Sequence, residues 1–408
     1  MDFVIEPIVF VAGVLLFVSV LVSKLSDRYG VPTLLLFLSV GMIAGSEGIG
    51  GIVFESPQVT QAVGTVALLI ILFAGGLDTD WQAVKPVLAP GLVLSTAGVL
   101  ITTLALGAFA WFVLGAYSRI ELGVGGLAWL PALLLAAIVS STDAAAVFGV
   151  FRTSDVQPTQ KVRYLLEFES GSNDPMAVLL TTAILGFMTQ GGGSASYIAL
   201  DLVLQLGLGA LLGCLLGVAG TWVINNLVLS SDGLYPLLVL AIGLLTFGTT
   251  EFLGGNGFLA VYVAGLVLGN GIVTQRDAII SFQDGLSWLA QIGMFIVLGL
   301  FVFPSRLVAV AIPSVVIALF LMFVARPLSV AICLLPFRPS GRELVYVSWV
   351  GLRGSVPIVL ATFPASYGIE GADDIFNVVF FIVITSVLVQ GLSLVPCTRW
   401  LCQQTDTK

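Results

Sequence analysis

Long apolar runs, broken by short polar or glycine-rich stretches, recur along the entire chain. At about twenty residues each, they match what an α-helix needs to cross a bilayer, and they predict an all-α membrane protein with about thirteen transmembrane helices. The expected limits lie at about 3–24, 31–46, 59–77, 86–116, 128–151, 164–189, 198–226, 235–253, 256–274, 284–303, 308–335, 343–365 and 376–397. The second and ninth runs are short and rich in glycine. Two others are interrupted halfway. The fifth, LPALLLAAIVSSTDAAAVFGVF, carries Ser140, Ser141, Thr142 and Asp143 at its middle. The twelfth, YVSWVGLRGSVPIVLATF, carries Gly351, Gly354 and Pro357 around Arg353. Such breaks are tolerated at membrane depth where the freed backbone groups are buried in protein or line a cavity.

The interrupted runs are seven spans apart, and so are the second and ninth, which share Gly41-Met-Ile-Ala-Gly45 and Gly265-Leu-Val-Leu-Gly269. An offset of seven gives two copies of opposite orientation. The pattern therefore predicts an inverted repeat, with a transport site where the two broken helices meet. The glycine spacing alone also marks generic helix packing, so the broken pair is the stronger sign. Facing half-helix ends carry opposed partial charges, and Asp143 suits the positive ends as Arg353 suits the negative ones.

The sixth run adds ESGSNDPMAVLL. On a helix Glu169 shares a face with Asn173, and Ser170 with Asp174, each four apart. Glu169 and Asp174 are five apart and point about 140° away from each other. One carboxylate can face an ion while the other faces a structural partner. The obvious partner is Arg326 in FVARPLSV of the eleventh run, because an unpaired arginine there would be expensive. Ionisable groups at bilayer depth mark function. Asp143 beside Thr142, and Asp174 beside Asn173, therefore suggest a cation and proton site rather than ordinary packing. Pro175 removes a backbone donor just after Asp174 and is expected to loosen that turn.

Composition agrees with a membrane protein. The 408 residues are 58% hydrophobic and 9% charged, with mean hydropathy +1.11, where soluble domains run near about 25% charged. The net charge of −8 lies mostly in short loops and says little about partners. Basic residues are asymmetric: Lys24, Arg28, Lys85, Arg152, Lys161, Arg163, Arg276, Arg338, Arg342, Arg399 and Lys408 fall on one side. Only Arg119 and Arg306 fall on the other, with Glu47, Glu55, Glu121, Glu370, Asp373 and Asp374. This predicts an inner-membrane protein with its N-terminus outside and its C-terminus in the cytoplasm. The start, MDFVIEP, has no basic n-region, so the first run reads as a retained span. No basic tract favours nucleic acid. Histidine is absent, which removes imidazole metal ligands, Ser–His chemistry and histidine pH sensing. Cys214, Cys333, Cys397 and Cys402 have no metal-ligand spacing. The chain thus reads as a transporter rather than an enzyme, with no cofactor beyond the transported ions. A cation channel would use similar polar residues, but facing broken helices fit occlusion better than a pore. An intramembrane aspartyl protease needs two convergent aspartates, but it gives Asn173 no role, and no GxGD-type string is present.

The strings SSTDAAAVF, ESGSNDPMAV, ARPLSV and WVGLRGSVPI, spread over nearly the whole chain, together resemble the NhaP-type branch of the monovalent cation/proton antiporters. The first two are most similar to its bacterial potassium/proton subgroup. The resemblance implies a homodimer of thirteen-span protomers built from two inverted six-span repeats. It implies a core domain, here about 86–189 and 308–397, that moves elevator-fashion against a dimerisation domain, about 3–77 and 198–303. By motif, Asp174 is the main cation- and proton-binding carboxylate, with Asp143, the Thr142 carbonyl and Ser170 as further ligands. Asn173 holds a position that resembles electroneutral members exchanging one cation for one proton, with potassium favoured and sodium the alternative. Glu169, Arg326 and Arg353 are carried over as structural charges. Related proteins often have LF(E/D)GGL in the third span; this chain has LFAGGL, with Ala74 in place of the acid. The subgroup commonly continues into a cytoplasmic regulatory domain, whereas this chain stops soon after the last run, so none is expected within it.

Overall fold

The structure is a computed structural model that describes residues 5–29, 32–117, 128–151, 156–189, 195–272 and 274–402. Arg119, Glu121, Arg152 and Lys408, which enter the charge asymmetry, lie outside those residues, as do the side chains of Arg28 and Cys402. Every regular element among the described residues is helical. In chain order the helices are α1 (Ile5–Tyr29), α2 (Thr33–Ala44), α3 (Pro57–Asp78), α4 (Trp81–Gly115), α5 (Trp129–Ile138), α6 (Ala144–Phe151), α7 (Gln160–Thr189) and α8 (Ala195–Asn226). They continue with α9 (Leu234–Phe252), α10 (Gly257–Gly271), α11 (Arg276–Phe301), α12 (Pro304–Phe337), α13 (Gly341–Trp349), α14 (Ser355–Ser366) and α15 (Ala372–Trp400). Each expected run falls on a helix, and the fifth and twelfth fall on the pairs α5/α6 and α13/α14. Eight helices are long and apolar enough to cross a membrane by length and composition, and shorter apolar ones lie between them.

Local chemistry accounts for many of the ends. Ser56 caps α3 by accepting the Val59 N–H, with Pro57 at the first helical position. Ser340 and Glu343 form a reciprocal capping box on α13. The short helices α2 and α10, with 12 and 15 residues, reach only about 18–23 Å against a hydrocarbon core of about 30 Å.

The packing repeats the sequence symmetry. Helix α2 lies on α11, and α10 lies on α3. Both crossings are made by glycines. A Cβ on Gly41 would come within 2.9 Å of the Gly299 Cα, and one on Gly265 within 3.1 Å of the Gly76 Cα. Second-on-tenth and ninth-on-third is the exchange that an inverted repeat with a sevenfold offset requires. The same offset relates π-helical turns at Leu94–Gly98 in α4 and Leu321–Ala325 in α12. Such turns cluster at functional sites, and Arg326 follows the second directly.

One expectation changes in detail. Pro175 neither ends nor splits its helix, because α7 runs for 30 residues straight through it. Packing on both sides supports the turn that proline weakens: Asn173, Asp174, Pro175, Met176 and Ala177 are all buried.

Candidate functional site

The two interrupted helices cross at the middle of the molecule. Helix α5 stops at Ile138, and residues 139–143 run as irregular backbone to the start of α6. Helix α13 stops at Trp349, and residues 350–354 lead to α14. The two links touch directly: the Asp143 N–H donates to the Leu352 carbonyl at 2.8 Å. Gly354 sits against the Asp143 carboxylate so closely that a Cβ would collide with it. A glycine is therefore required there by contact rather than by backbone conformation.

The charges at the crossing meet the helix ends. The Arg353 guanidinium, 1% exposed, donates to the carbonyls of Ser140 at 2.7 Å and Ser141 at 2.5 Å, just beyond the C-terminal end of α5. Asp143 Oδ1 accepts the Ala146 N–H at 2.9 Å in the first turn of α6. An arginine thus faces carbonyl oxygens and a carboxylate faces amide hydrogens, the complementary arrangement for half-helix dipoles.

Helix α7 brings the remaining polar residues to the same crossing. Ser170 Oγ accepts from the Ala144 N–H at 3.0 Å and donates to the Thr142 carbonyl at 2.9 Å. Asn173 accepts from the Thr142 N–H at 3.3 Å and donates to Thr142 Oγ1 at 2.7 Å. Both side chains therefore satisfy backbone that the break in α5/α6 leaves free. Asp174 is buried one helical turn beyond Ser170, near enough to Asp143 and Arg353 to feel both charges. Asp143 is half-buried. Two carboxylates, a polar neck and irregular backbone carbonyls thus converge on one place. This is an oxygen-rich donor set suited to a hard cation.

On the other side of α7, Glu169 and Arg326 form a bidentate pair at 2.5 and 2.9 Å, with side chains 1% and 5% exposed. Arg326 also donates to the Val347 carbonyl at 3.4 Å, and Gly351 leaves room for its side chain. This pair ties α7, α12 and α13 together behind the site. Ala74 is buried on α3 and offers no polar group.

Sequence reasoning missed part of the support. The Arg353 N–H donates to Ser386 Oγ at 3.1 Å, Ser386 donates to Gln390 Oε1 at 2.5 Å, and Gln390 donates to the Trp349 carbonyl at 2.7 Å. Two polar residues four apart in the apolar run of α15 were the available signal.

The comparisons with known proteins bear on the whole chain. Residues 13–400 match the model of the family described as sodium/hydrogen exchanger, transmembrane. The K(+)/H(+) antiporter NhaP2 of Shewanella oneidensis is 44% identical over 397 residues, covering 96% of this chain and 66% of the relative. The chain thus spans just under two thirds of the length of that relative. Na(+)/H(+) antiporter 1 of Methanocaldococcus jannaschii is 30% identical over 377 residues, 89% of this chain and 84% of that protein. The solved structure of the sodium proton antiporter MjNhaP1 from the same organism superposes with a TM-score of 0.82 at 27% identity. The match covers 96% of this chain and 98% of that one. With a family match over nearly its full length and a site built on crossed broken helices, the chain belongs to the sodium/hydrogen exchanger family.

Proposed function

We propose that the chain exchanges a monovalent cation for a proton across the cell's inner membrane, with potassium as the favoured cation. The observation that carries this reading is the meeting of Asp174 and Asp143 at the crossing of the two broken helices. A buried carboxylate is costly when bare, so it is met either by a cation or by a proton, and the two compete for the same oxygens. If the protein changes the side from which Asp174 is reached only when that carboxylate is occupied, exchange is obligatory and needs no ATP. In this reading Asp174 is the main ligand and Asp143 the second. The Thr142 carbonyl and Ser170 form the neck of the site, Asn173 orients Thr142, and Glu169, Arg326 and Arg353 hold the frame.

Potassium is favoured because relatives at 42–44% identity carry the name potassium/proton antiporter. The sodium reading rests on the 30% identical relative and on the solved structure it resembles. The charge asymmetry of the loops supports an outer N-terminus and a cytoplasmic C-terminus. Apolar faces left exposed on α1 and α8, with Phe10, Phe17, Leu204 and Trp222, suit lipid and a second copy in a homodimer. We read residues 86–189 and 308–397 as the moving unit against 3–77 and 198–303.

The test is dissipation of a pH gradient in vesicles, titrated separately with potassium, sodium, rubidium and lithium. Potassium is expected to act at the lowest concentration, and Asp174→Asn to abolish exchange while leaving yield and oligomeric state unchanged. No response to any of the cations, or full activity in Asp174→Asn, refutes the reading.

A further inference from the structure

The helix that carries Asp174 leans on α10 at two places, one on each side of that residue. Before it, Gly171 packs against the Tyr262 ring, and a Cβ there would lie 2.5 Å from the nearest ring carbon. After it, the Pro175 carbonyl accepts a hydrogen bond from Asn256 Nδ2 at 3.1 Å. The two contacts differ in kind. The first is steric, because the ring fits only where α7 offers no Cβ. A hydrogen bond to one backbone carbonyl specifies one register, and a shift of one helical turn, about 5.4 Å, breaks it.

Asn256 is built to hold that register. It is 4% exposed and lies at the N-terminus of α10. Its Oδ1 accepts the Leu259 N–H at 2.8 Å, which caps the helix and determines which end of the amide faces away. Its own N–H donates to the Gln205 carbonyl of α8 at 3.0 Å. The residue is therefore anchored to α8 by its backbone and to α10 by its side-chain oxygen, and its side-chain nitrogen reaches across to α7.

We propose that Asn256 is a positioning residue for alternating access, a latch whose amide holds the Asp174 helix in the arrangement described here and must release the Pro175 carbonyl before that helix moves. The inference rests on the reading of α7 as part of a moving unit. Asn256→Ser separates the latch from the cap, because serine caps a helix about as well as asparagine but is too short to reach a second helix. Losing one neutral hydrogen bond shifts a two-state equilibrium by about fivefold.

The experiment places spin labels at Gln160 and Asp277, both exposed at helix starts, in a background without native cysteines reconstituted into lipid. Asn256→Ser is expected to raise the population of the minor inter-label distance by about fivefold. In transport, the half-saturating potassium concentration should rise on one side of the membrane and fall on the other. A distance distribution unchanged from the unmodified protein overturns the latch. Affinities that weaken alike on both sides overturn it too, since that is what a merely damaged helix start would give. If the unmodified chain moves no protons with any cation, the exchange reading fails, while the distance measurement still judges the latch.

Discussion

Replacing Arg326 strands a carboxylate. Glu169 is 1% exposed and its two oxygens are both taken by the guanidinium, so Arg326→Met leaves a charge with neither water nor partner. Removing one member of a buried pair costs about 3–5 kcal/mol. For a chain of this length the loss corresponds to a drop on the order of 4–6 °C in the unfolding midpoint. The double variant Glu169→Met with Arg326→Met removes both charges and refills the space, which is often neutral or stabilising. The assay is thermal unfolding of purified protein in detergent at pH 7, with a large loss expected for the single variant and recovery of most of it in the double variant. A double variant no more stable than the single one refutes the reasoning, because the charge would then not be what the arginine compensates.

Two further outcomes follow from contacts around the site. Gly354→Ala pushes a methyl group into the Asp143 carboxylate, so the half-saturating cation concentration in vesicle assays should rise at least several-fold while folded yield is kept; an unchanged value would separate Asp143 from the ion. At the other end of the fold, the Ser305 hydroxyl and then its N–H, both donating to Glu47, hold that carboxyl below the usual carboxylate range. A lowered native value means that the stabilisation is fully present above the ordinary glutamate range and is lost as the pH falls through the native value. Glu47→Gln should therefore unfold earlier than the unmodified protein at pH 7, with the difference shrinking to nothing in strongly acidic buffer. A difference that ignores pH would exclude the carboxylate as its source.

The parts of this molecule legible in the sequence are those governed by periodicity and by the expense of burying charge. Apolar runs located the helices, because a bilayer leaves few alternatives to a helix of sufficient length. The pairing of Glu169 with Arg326 was legible because two opposite charges at membrane depth have few other partners. The breaks in α5/α6 and α13/α14 announced themselves through glycine, proline and clustered hydroxyls. What was not legible is directional. Ser170 and Asn173 share faces with Asp174 and Glu169 by spacing alone, yet both turn to the backbone around Thr142, because a broken helix leaves amides and carbonyls that must find partners nearby. Proline inside α7 read as a weak point, whereas the surrounding packing carries the helix through it. Asn256 stood only as the first residue of the ninth run, since a helix cap and a cross-helix donor look the same in one dimension.

Charge bookkeeping gives the site a stoichiometric consequence. Among the described residues, the buried ionisable side chains with charge are Glu169, Asp174, Arg326 and Arg353, two of each sign. Asp143, half-buried at the same crossing, adds one negative charge. The formal sum at the crossing is therefore one negative charge, which in the proposed reading one monovalent ion brings to zero. A proton does the same. Both loaded forms are then equally neutral, which is the condition for moving each across a low-dielectric region without a charge-dependent penalty. An acid at position 74 would add a second negative charge and leave either loaded form still charged. In this chain Ala74 is 5% exposed and packed on α3, so the count stays at one. In the proposed reading Ala74 therefore keeps the count at one, in line with exchange of one cation for one proton.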